Sequence, residues 1–255
     1  MYRTIQQWDL WLTQFLGHSV LEAEKKFLLH SLATYFGKQG LLLGVPHQNE
    51  LLKASVTAHQ IVLTPIISKT RQIKTIESDF DELPISTGRV DLVLLPHTLE
   101  YLDNPRQLLS EACRIVKPEG HIVILGFNPI SMWGIRKFFS KKNKGVPWSS
   151  NFIRAASIKE WLALADFELV KQNTLLFRPP LKHHGLYRKL NFLEWVGNKC
   201  YGYFGGVYVL IAKAKVIPLT PIRLRWKQSL SSMRVTLPGP SMRNYWNKSG
   251  RSILQ

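Results

Sequence analysis

The sequence predicts a doubly wound α/β sheet, and three observations carry that prediction. Continuous apolar runs occur at Gly40-Leu-Leu-Leu-Gly44, Gln60-Ile-Val-Leu63 and Val90-Asp-Leu-Val-Leu-Leu95. Apolar residues at helical spacing fill the intervals between such runs, and Gly or Pro closes many of the junctions. Unbroken apolar runs suit strands buried on both faces, as in parallel sheets, and helices between them supply the crossovers that parallel strands need.

Between Ile5 and Phe36 the apolar residues Trp8, Trp11, Leu12, Phe15, Leu16, Leu21, Phe27, Leu28 and Leu32 recur at helical spacing, which predicts two helices broken at Gly17 and stopped at Gly37. A strand over 40–44, a short helix over 47–55 and a strand over 60–63 follow, with a weaker strand over 71–76. Val90 to Leu95 is a strong strand stopped by Pro96. Asn104 as cap and Pro105 at the first helical position open a helix whose stripe is Leu108, Leu109, Ala112, Ile115 and Val116, ending at Pro118-Glu-Gly120. His121 to Phe127 is a strand, 157–165 a capped helix, and the β-rich segments 167–177 and 206–215 form a late antiparallel hairpin.

Charge is divided unevenly along the 255 residues. Up to Ile135 there are 12 basic and 13 acidic residues; from Arg136 onward there are 22 and 4, so the net +17 belongs to the second half. A hydrophobic content of 45% excludes a wholly disordered or collagen-like chain. Cys113 and Cys200, the only cysteines, exclude a disulfide-rich scaffold and suit a reducing compartment. Met1 to Leu12 lacks the apolar core of a secretory leader, and the apolar stretch 200–212 falls well short of the roughly 20 residues of a membrane span, so a soluble, cytoplasmic protein is expected.

Four segments arrive in a telling order: Asp79-Phe-Asp-Glu-Leu-Pro84, Val90-Asp-Leu-Val-Leu, Leu99-Glu-Tyr-Leu-Asp-Asn-Pro105 and Leu109-Ser-Glu-Ala-Cys-Arg-Ile-Val-Lys-Pro-Glu-Gly120. They resemble the central part of class I S-adenosylmethionine-dependent methyltransferases of the small "type 11" kind. The match is specific from Glu77 to Asn128 and extends more weakly to Lys215. Gly126-Phe-Asn-Pro-Ile-Ser131 with Trp133-Gly-Ile-Arg-Lys137 is similar to a little-characterised bacterial branch of that family. The resemblance implies a Rossmann-like, mostly parallel sheet of about seven strands, helices on both faces and a C-terminal antiparallel hairpin. The organisation expected is N-terminal helices over 1–36 packing on the core, an α/β domain over 37–216 with a basic aromatic insertion near 130–156, and a flexible basic tail over 217–255.

The resemblance also implies S-adenosylmethionine as cofactor, bound across the carboxyl ends of strands 1 to 4. The glycine-rich turn falls on Leu42-Leu-Gly44-Val-Pro-His-Gln48, where Gly44 is kept, Leu42 replaces an acidic residue, Pro46 removes a backbone donor and Gln48 adds bulk. Thr64 stands where a ribose-binding carboxylate is usual, Asp79 where the adenine amino group is met, with Phe80 beside it, and Pro96 on the loop after the fourth strand. Each has an ordinary structural alternative: Gly44 a turn, Asp79 a loop acid, Asp91 a strand-start structural residue. His97 is the candidate proton acceptor, and His97, Glu100 and Asn128 are candidates for the substrate site, with a structural role the alternative for both His97 and Glu100. Methyl transfer asks mainly for alignment, because the sulfonium already activates the methyl group, so neither triad nor metal is expected. The eight histidines lack metal spacing, and His183-His184 fits a solvated loop.

Arg136-Lys137, Lys141-Lys142 and Lys144 lie among Trp133, Phe138, Phe139 and Trp148, a mixture compatible with RNA, with an anionic lipid surface or with a solvated lid. The tail repeats the theme with seven basic and no acidic residues over 217–255. Three functions therefore stand open: a methyltransferase acting on an unidentified, small-molecule acceptor; a binding protein that keeps the fold without catalysis; and an RNA-directed methyltransferase or RNA-binding factor. No Asn-Pro-Pro-Tyr-like sequence follows the fourth strand, which weighs against a base-amine methyltransferase.

Overall fold

The computed structural model describes residues 2–66, 74–140, 145–181, 190, 197 and 204–216. Helices α1 (Tyr2–Leu12) and α2 (Phe15–Ser31) precede strand β1 (Phe36–Leu43), a 3₁₀ turn and the single helical turn α3 (Asn49–Leu52). Then come β2 (Val56–Thr64), β3 (Lys74–Glu77), β4 (Val90–Pro96), α4 (Pro105–Ile115), β5 (Val116–Phe127), α5 (Met132–Phe139), α6 (Ala155–Leu164), β6 (Phe167–Leu175) and β7 (Val207–Ala214). The strands form one sheet in the order β3-β2-β1-β4-β5-β7-β6. All neighbours from β3 to β5 are parallel, whereas β7 runs antiparallel to both β5 and β6. The fold class expected from the sequence, including the late hairpin, is the one observed.

Burial in the sheet is graded along the strands. The first residues of β1 and β2 are largely exposed, whereas Leu41, Leu42, Leu43, Val62 and Leu63 at their carboxyl halves are buried. β4 is apolar almost throughout and occupies the centre of the sheet, as its continuous pattern requires. The exposed β3 is a four-residue edge strand, too short to leave much unpaired backbone.

Several boundaries differ from the sequence expectation. The helical break falls at Thr13 and Gln14, whose N–H groups bond back to Leu10 and Trp11 carbonyls, and not at Gly17. Gly17 lies in the first turn of α2, where a Cβ would stand 2.2 Å from the Trp11 carbonyl oxygen; it permits close packing of α2 on the end of α1. α2 stops at Ser31, so Gly37 ends no helix; it lies in β1 against Asp91, whose Cβ a side chain at Gly37 would meet at 2.5 Å. β5 begins at Val116, because Pro118-Glu-Gly120 passes through a register shift within the strand, with Glu119 at φ 65°, instead of ending in a separate turn. α6 starts at Ala155, so Ser157 is inside the helix and does not cap it. Asn104 does cap α4, accepting from the Gln107 N–H at 3.3 Å.

Asp91 is structural. Its Oδ2 accepts from the N–H groups of Lys38 and Gln39 at 3.0 and 2.8 Å, and Lys117 Nζ donates to its Oδ1 at 2.9 Å, so one carboxylate ties β4 to β1 and β5. Burial raises its pKa, and the lysine and backbone donors more than reverse this, leaving the carboxyl below its ordinary value.

Candidate active site

The carboxyl ends of the parallel strands collect the residues named from the sequence. Gly44 follows β1, Thr64 ends β2, Asp79 and Phe80 follow β3, Pro96 ends β4 with His97 next, and Asn128 follows β5. The sheet order reverses between β1 and β4, so the crevice of an open α/β sheet falls between Gly44 and Pro96.

That crevice is spanned by Gln48. The side chain is fully buried; its Oε1 accepts from the Val45 N–H at 3.0 Å and its Nε2 donates to the Pro96 carbonyl at 2.8 Å. A Cβ on Gly44 would meet Gln48 Oε1 at 2.4 Å. The turn thus keeps a glycine for close approach, and what approaches is the chain's own amide. Thr98 adds a hydroxyl bond to the Leu43 carbonyl from the other side of the crevice. Thr64 is buried, and its hydroxyl accepts from the Ile66 N–H at 3.3 Å. Asp79 is exposed beside the buried Phe80.

His97 has a different place from the ligand-facing one expected of it. It is fully buried in a left-handed conformation, φ 58°, and both ring nitrogens are engaged: Nε2 lies 2.7 Å from Glu24 Oε1 and Nδ1 3.2 Å from Glu100 Oε2. Burial by itself disfavours the charged ring, but the two carboxylates reverse this and raise its pKa to about 10. Both ring nitrogens are thus occupied by carboxylates of the chain itself, which favours the structural alternative for His97 over the proton-acceptor one. Glu100 is likewise buried and committed, its Oε1 accepting from the Phe127 N–H; burial raises its carboxyl pKa against the lowering influence of His97. Asn128 braces its own loop, donating to the Gly205 carbonyl at 3.2 Å and accepting from the Ile130 N–H at 3.1 Å.

Aromatic rings seal this end of the molecule. Trp8 stacks on His97 with centroids 5.6 Å apart, His97 lies 4.3 Å from Phe127, and Phe127 stacks on Trp133 at 5.1 Å and on Phe152 at 5.0 Å. Trp8 Nε1 donates to Ser150 Oγ at 3.2 Å, joining α1 to the segment after α5. Sequence reasoning missed Glu24 as a member of this centre. The available signal was its place among Leu16, Val20, Leu21 and Leu28 on the buried stripe of α2, where a charged residue needs a partner.

Among the described residues no group of three metal-ligating side chains is suited to a metal ion, and no helix is long and apolar enough to cross a membrane. Burial pushes the Cys113 thiol up to about 12, which makes it unreactive. His183, His184, Lys141, Lys142, Lys144, Cys200 and the tail 217–255 lie outside the described residues.

Comparison with known proteins agrees with the sheet order. Residues 45–124 match the family described as a methyltransferase domain. A Thermotoga maritima S-adenosylmethionine-dependent methyltransferase superposes with a TM-score of 0.63 at 19% identity, covering 84% of this chain and 97% of that one. The Escherichia coli (strain K12) protein YafS is 34% identical over 145 residues, 57% of each chain, so this chain spans little more than half that relative's length. A Bacillus cereus (strain B4264) demethylmenaquinone methyltransferase is 24% identical over 178 residues, covering 61% of this chain and 71% of that one. The chain therefore carries a stretch that matches a methyltransferase domain, on a fold shared with solved S-adenosylmethionine-dependent methyltransferases. S-adenosylmethionine is the cofactor of those solved methyltransferases.

The fit of that cofactor differs across the crevice. Asp79, Phe80 and Thr64 stand on adjacent strand ends, as an adenosine-binding edge requires. At the β1 turn, however, the Val45 N–H is already taken and the space beside Gly44 is filled by Gln48. The turn accepts a ligand only when Gln48 withdraws.

Proposed function

We propose that this chain binds S-adenosylmethionine along the carboxyl ends of β1 to β4 and transfers its methyl group to a small-molecule acceptor. The observation that supports this reading is the succession of Gly44, Thr64 and Asp79 on three neighbouring strands in the order β1, β2, β3, beside the switch point of the sheet. In this reading Asp79 receives the adenine amino group beside the ring of Phe80, Thr64 offers its hydroxyl to the ribose, and Gly44 and Pro96 border the methionine end. Gln48 exchanges its bond to the Val45 N–H for one to the ligand. The bound sulfonium supplies the activated methyl group; the protein supplies alignment and a dry wall built from Trp8, Phe127 and Trp133. His97 holds the β4 end in place through Glu24 and Glu100 and takes no proton from the acceptor. A small-molecule acceptor agrees with the Bacillus cereus relative, a demethylmenaquinone methyltransferase, and a cytoplasmic site of action with the sparse cysteines.

A second reading, a binding protein without methyl transfer, is favoured by one observation: the buried Gln48 bridge closes the crevice with two good hydrogen bonds. Titration calorimetry with S-adenosylmethionine separates the two. Binding with release of S-adenosylhomocysteine on turnover supports the enzyme; no detectable heat at millimolar cofactor sinks it in favour of the second reading.

A further inference from the structure

Helix α5 exposes four of its apolar residues while its two cations lie against the body of the protein. Phe138 and Phe139 are 85% and 79% exposed, and Met132 and Ile135 are exposed with them. Met132, Ile135 and Phe139 follow one another at helical spacing along one face, with Phe138 beside it. The inner face is fixed in several ways. Trp133 is fully buried and donates from Nε1 to the Arg178 carbonyl at 3.0 Å, Ser131 caps the helix by accepting from the Gly134 N–H, and a Cβ on Gly134 would strike the Pro129 backbone. Arg136 donates to the Pro180 carbonyl and lies over the Trp148 ring, while Lys137 donates to the Ser150 carbonyl over the ring of Phe152. The helix therefore has no freedom to roll and bury its phenylalanines.

Charge narrows what such a face meets. Residues 121–159 contain seven Lys and Arg and no Asp or Glu. A second copy of so basic a segment is repelled, and a single-stranded nucleic acid needs outward cations between its stacking rings, whereas Arg136 and Lys137 are held inward. An anionic bilayer offers an apolar layer for the rings, and its surface potential attracts a segment of net positive charge without needing outward cations between them.

We propose that the outward face of α5, formed by Met132, Ile135, Phe138 and Phe139, docks the protein on an anionic phospholipid surface. The rings enter the boundary between headgroups and acyl chains, as in an interfacial helix. The proposal is independent of whether the crevice binds S-adenosylmethionine.

The test is flotation of the full chain with vesicles of phosphatidylcholine alone or of phosphatidylcholine and phosphatidylglycerol in a two-to-one ratio. The parent floats with the anionic vesicles and not with the neutral ones. The double variant Phe138→Ser, Phe139→Ser lowers its partition on the order of tenfold or more, because the apolar contribution is lost. Its thermal unfolding, followed by circular dichroism, stays at the parent's temperature, since these rings are largely exposed and meet each other edge to face. Equal flotation of parent and variant overturns the proposal, because other cations then carry the binding. Failure of the parent to float also overturns it, including the case in which sedimentation shows a dimer, or gel shift an RNA complex, that the variant loses.

Discussion

Glu24 on α2 and His97 at the end of β4 meet at 2.7 Å across 73 residues of sequence, and neither side chain reaches solvent. The pair fastens the N-terminal helices to the central strand, directly below the stacked ring of Trp8. Removing one member leaves the other buried without its partner, so Glu24→Ala is expected to cost about 3–5 kcal/mol. Urea unfolding at neutral pH measures this, and Glu24→Gln, which keeps a hydrogen-bonding group, falls between parent and Ala.

The same centre dictates a pH dependence. The folded pKa of His97, about 10, lies above its ordinary 6.5, so the folded state holds the proton more tightly than the unfolded one. The associated stability is complete below about pH 6.5 and is lost as pH rises through about 10. Glu100, also raised, acts in the same sense at lower pH. Unfolding free energies measured from pH 6 to pH 10 are expected to decline in the parent and to decline less steeply, by close to one proton, in His97→Gln.

Asp91 shows the opposite sign. Its carboxyl is held below the ordinary value, so its stabilisation is present above the unfolded pKa and disappears as pH falls through the folded one. Asp91→Asn loses the bond to Lys117 and weakens acceptance from the Lys38 and Gln39 N–H groups. The expected result is a loss of about 1–3 kcal/mol at neutral pH that shrinks as pH is lowered, read from chemical denaturation across a series of acid pH values.

Two glycines separate space from backbone conformation. Gly17→Ala places a methyl group against the Trp11 carbonyl and forces α1 away from α2, with an expected net loss of about 2 kcal/mol despite the better helix propensity of Ala. Gly88 has open space around it but φ +65°, so Gly88→Ala costs about 1 kcal/mol through the backbone alone. Thermal unfolding ranks them, and only Gly17→Ala disturbs the near-ultraviolet signal of Trp8 and Trp11.

Gln48 and Asp79 give opposite effects on cofactor affinity. Gln48→Ala frees the Val45 N–H and the space beside Gly44, so S-adenosylmethionine is expected to bind several-fold more tightly while the protein loses about 1–3 kcal/mol of stability. Asp79→Ala is expected to weaken binding on the order of tenfold. Weaker binding in Gln48→Ala would show that the amide assists the ligand instead of competing with it.

What was legible in the sequence was the part set by local pattern. The unbroken apolar run of β4 and the Asn104-Pro105 start of α4 have their causes within a few residues, and both are found where expected. β5 was legible only in its second half, because Pro118 and Gly120 read as a stop while pairing with β4 carries the strand through a shifted register. The site was less legible. The strand ends that border the crevice follow from the order of elements, but the occupation of His97 by Glu24, and of the Gly44 turn by Gln48, depends on contacts that no local periodicity encodes. α5 was marked as basic and aromatic; which of those residues face inward is decided by Trp133, Pro129 and Pro180.

The position of β7 governs how the molecule is completed. Among the described residues it is the last strand, yet it lies between β5 and β6 and supplies β6 with its only sheet partner there. A chain folded through β5 has its parallel core in place but carries a raw edge of unpaired backbone, and β6 waits beside it with nothing to join. Closure is therefore a long-range zippering event, slow by the measure of contact separation, in which residues 207–214 enter a slot whose two walls come from earlier in the chain.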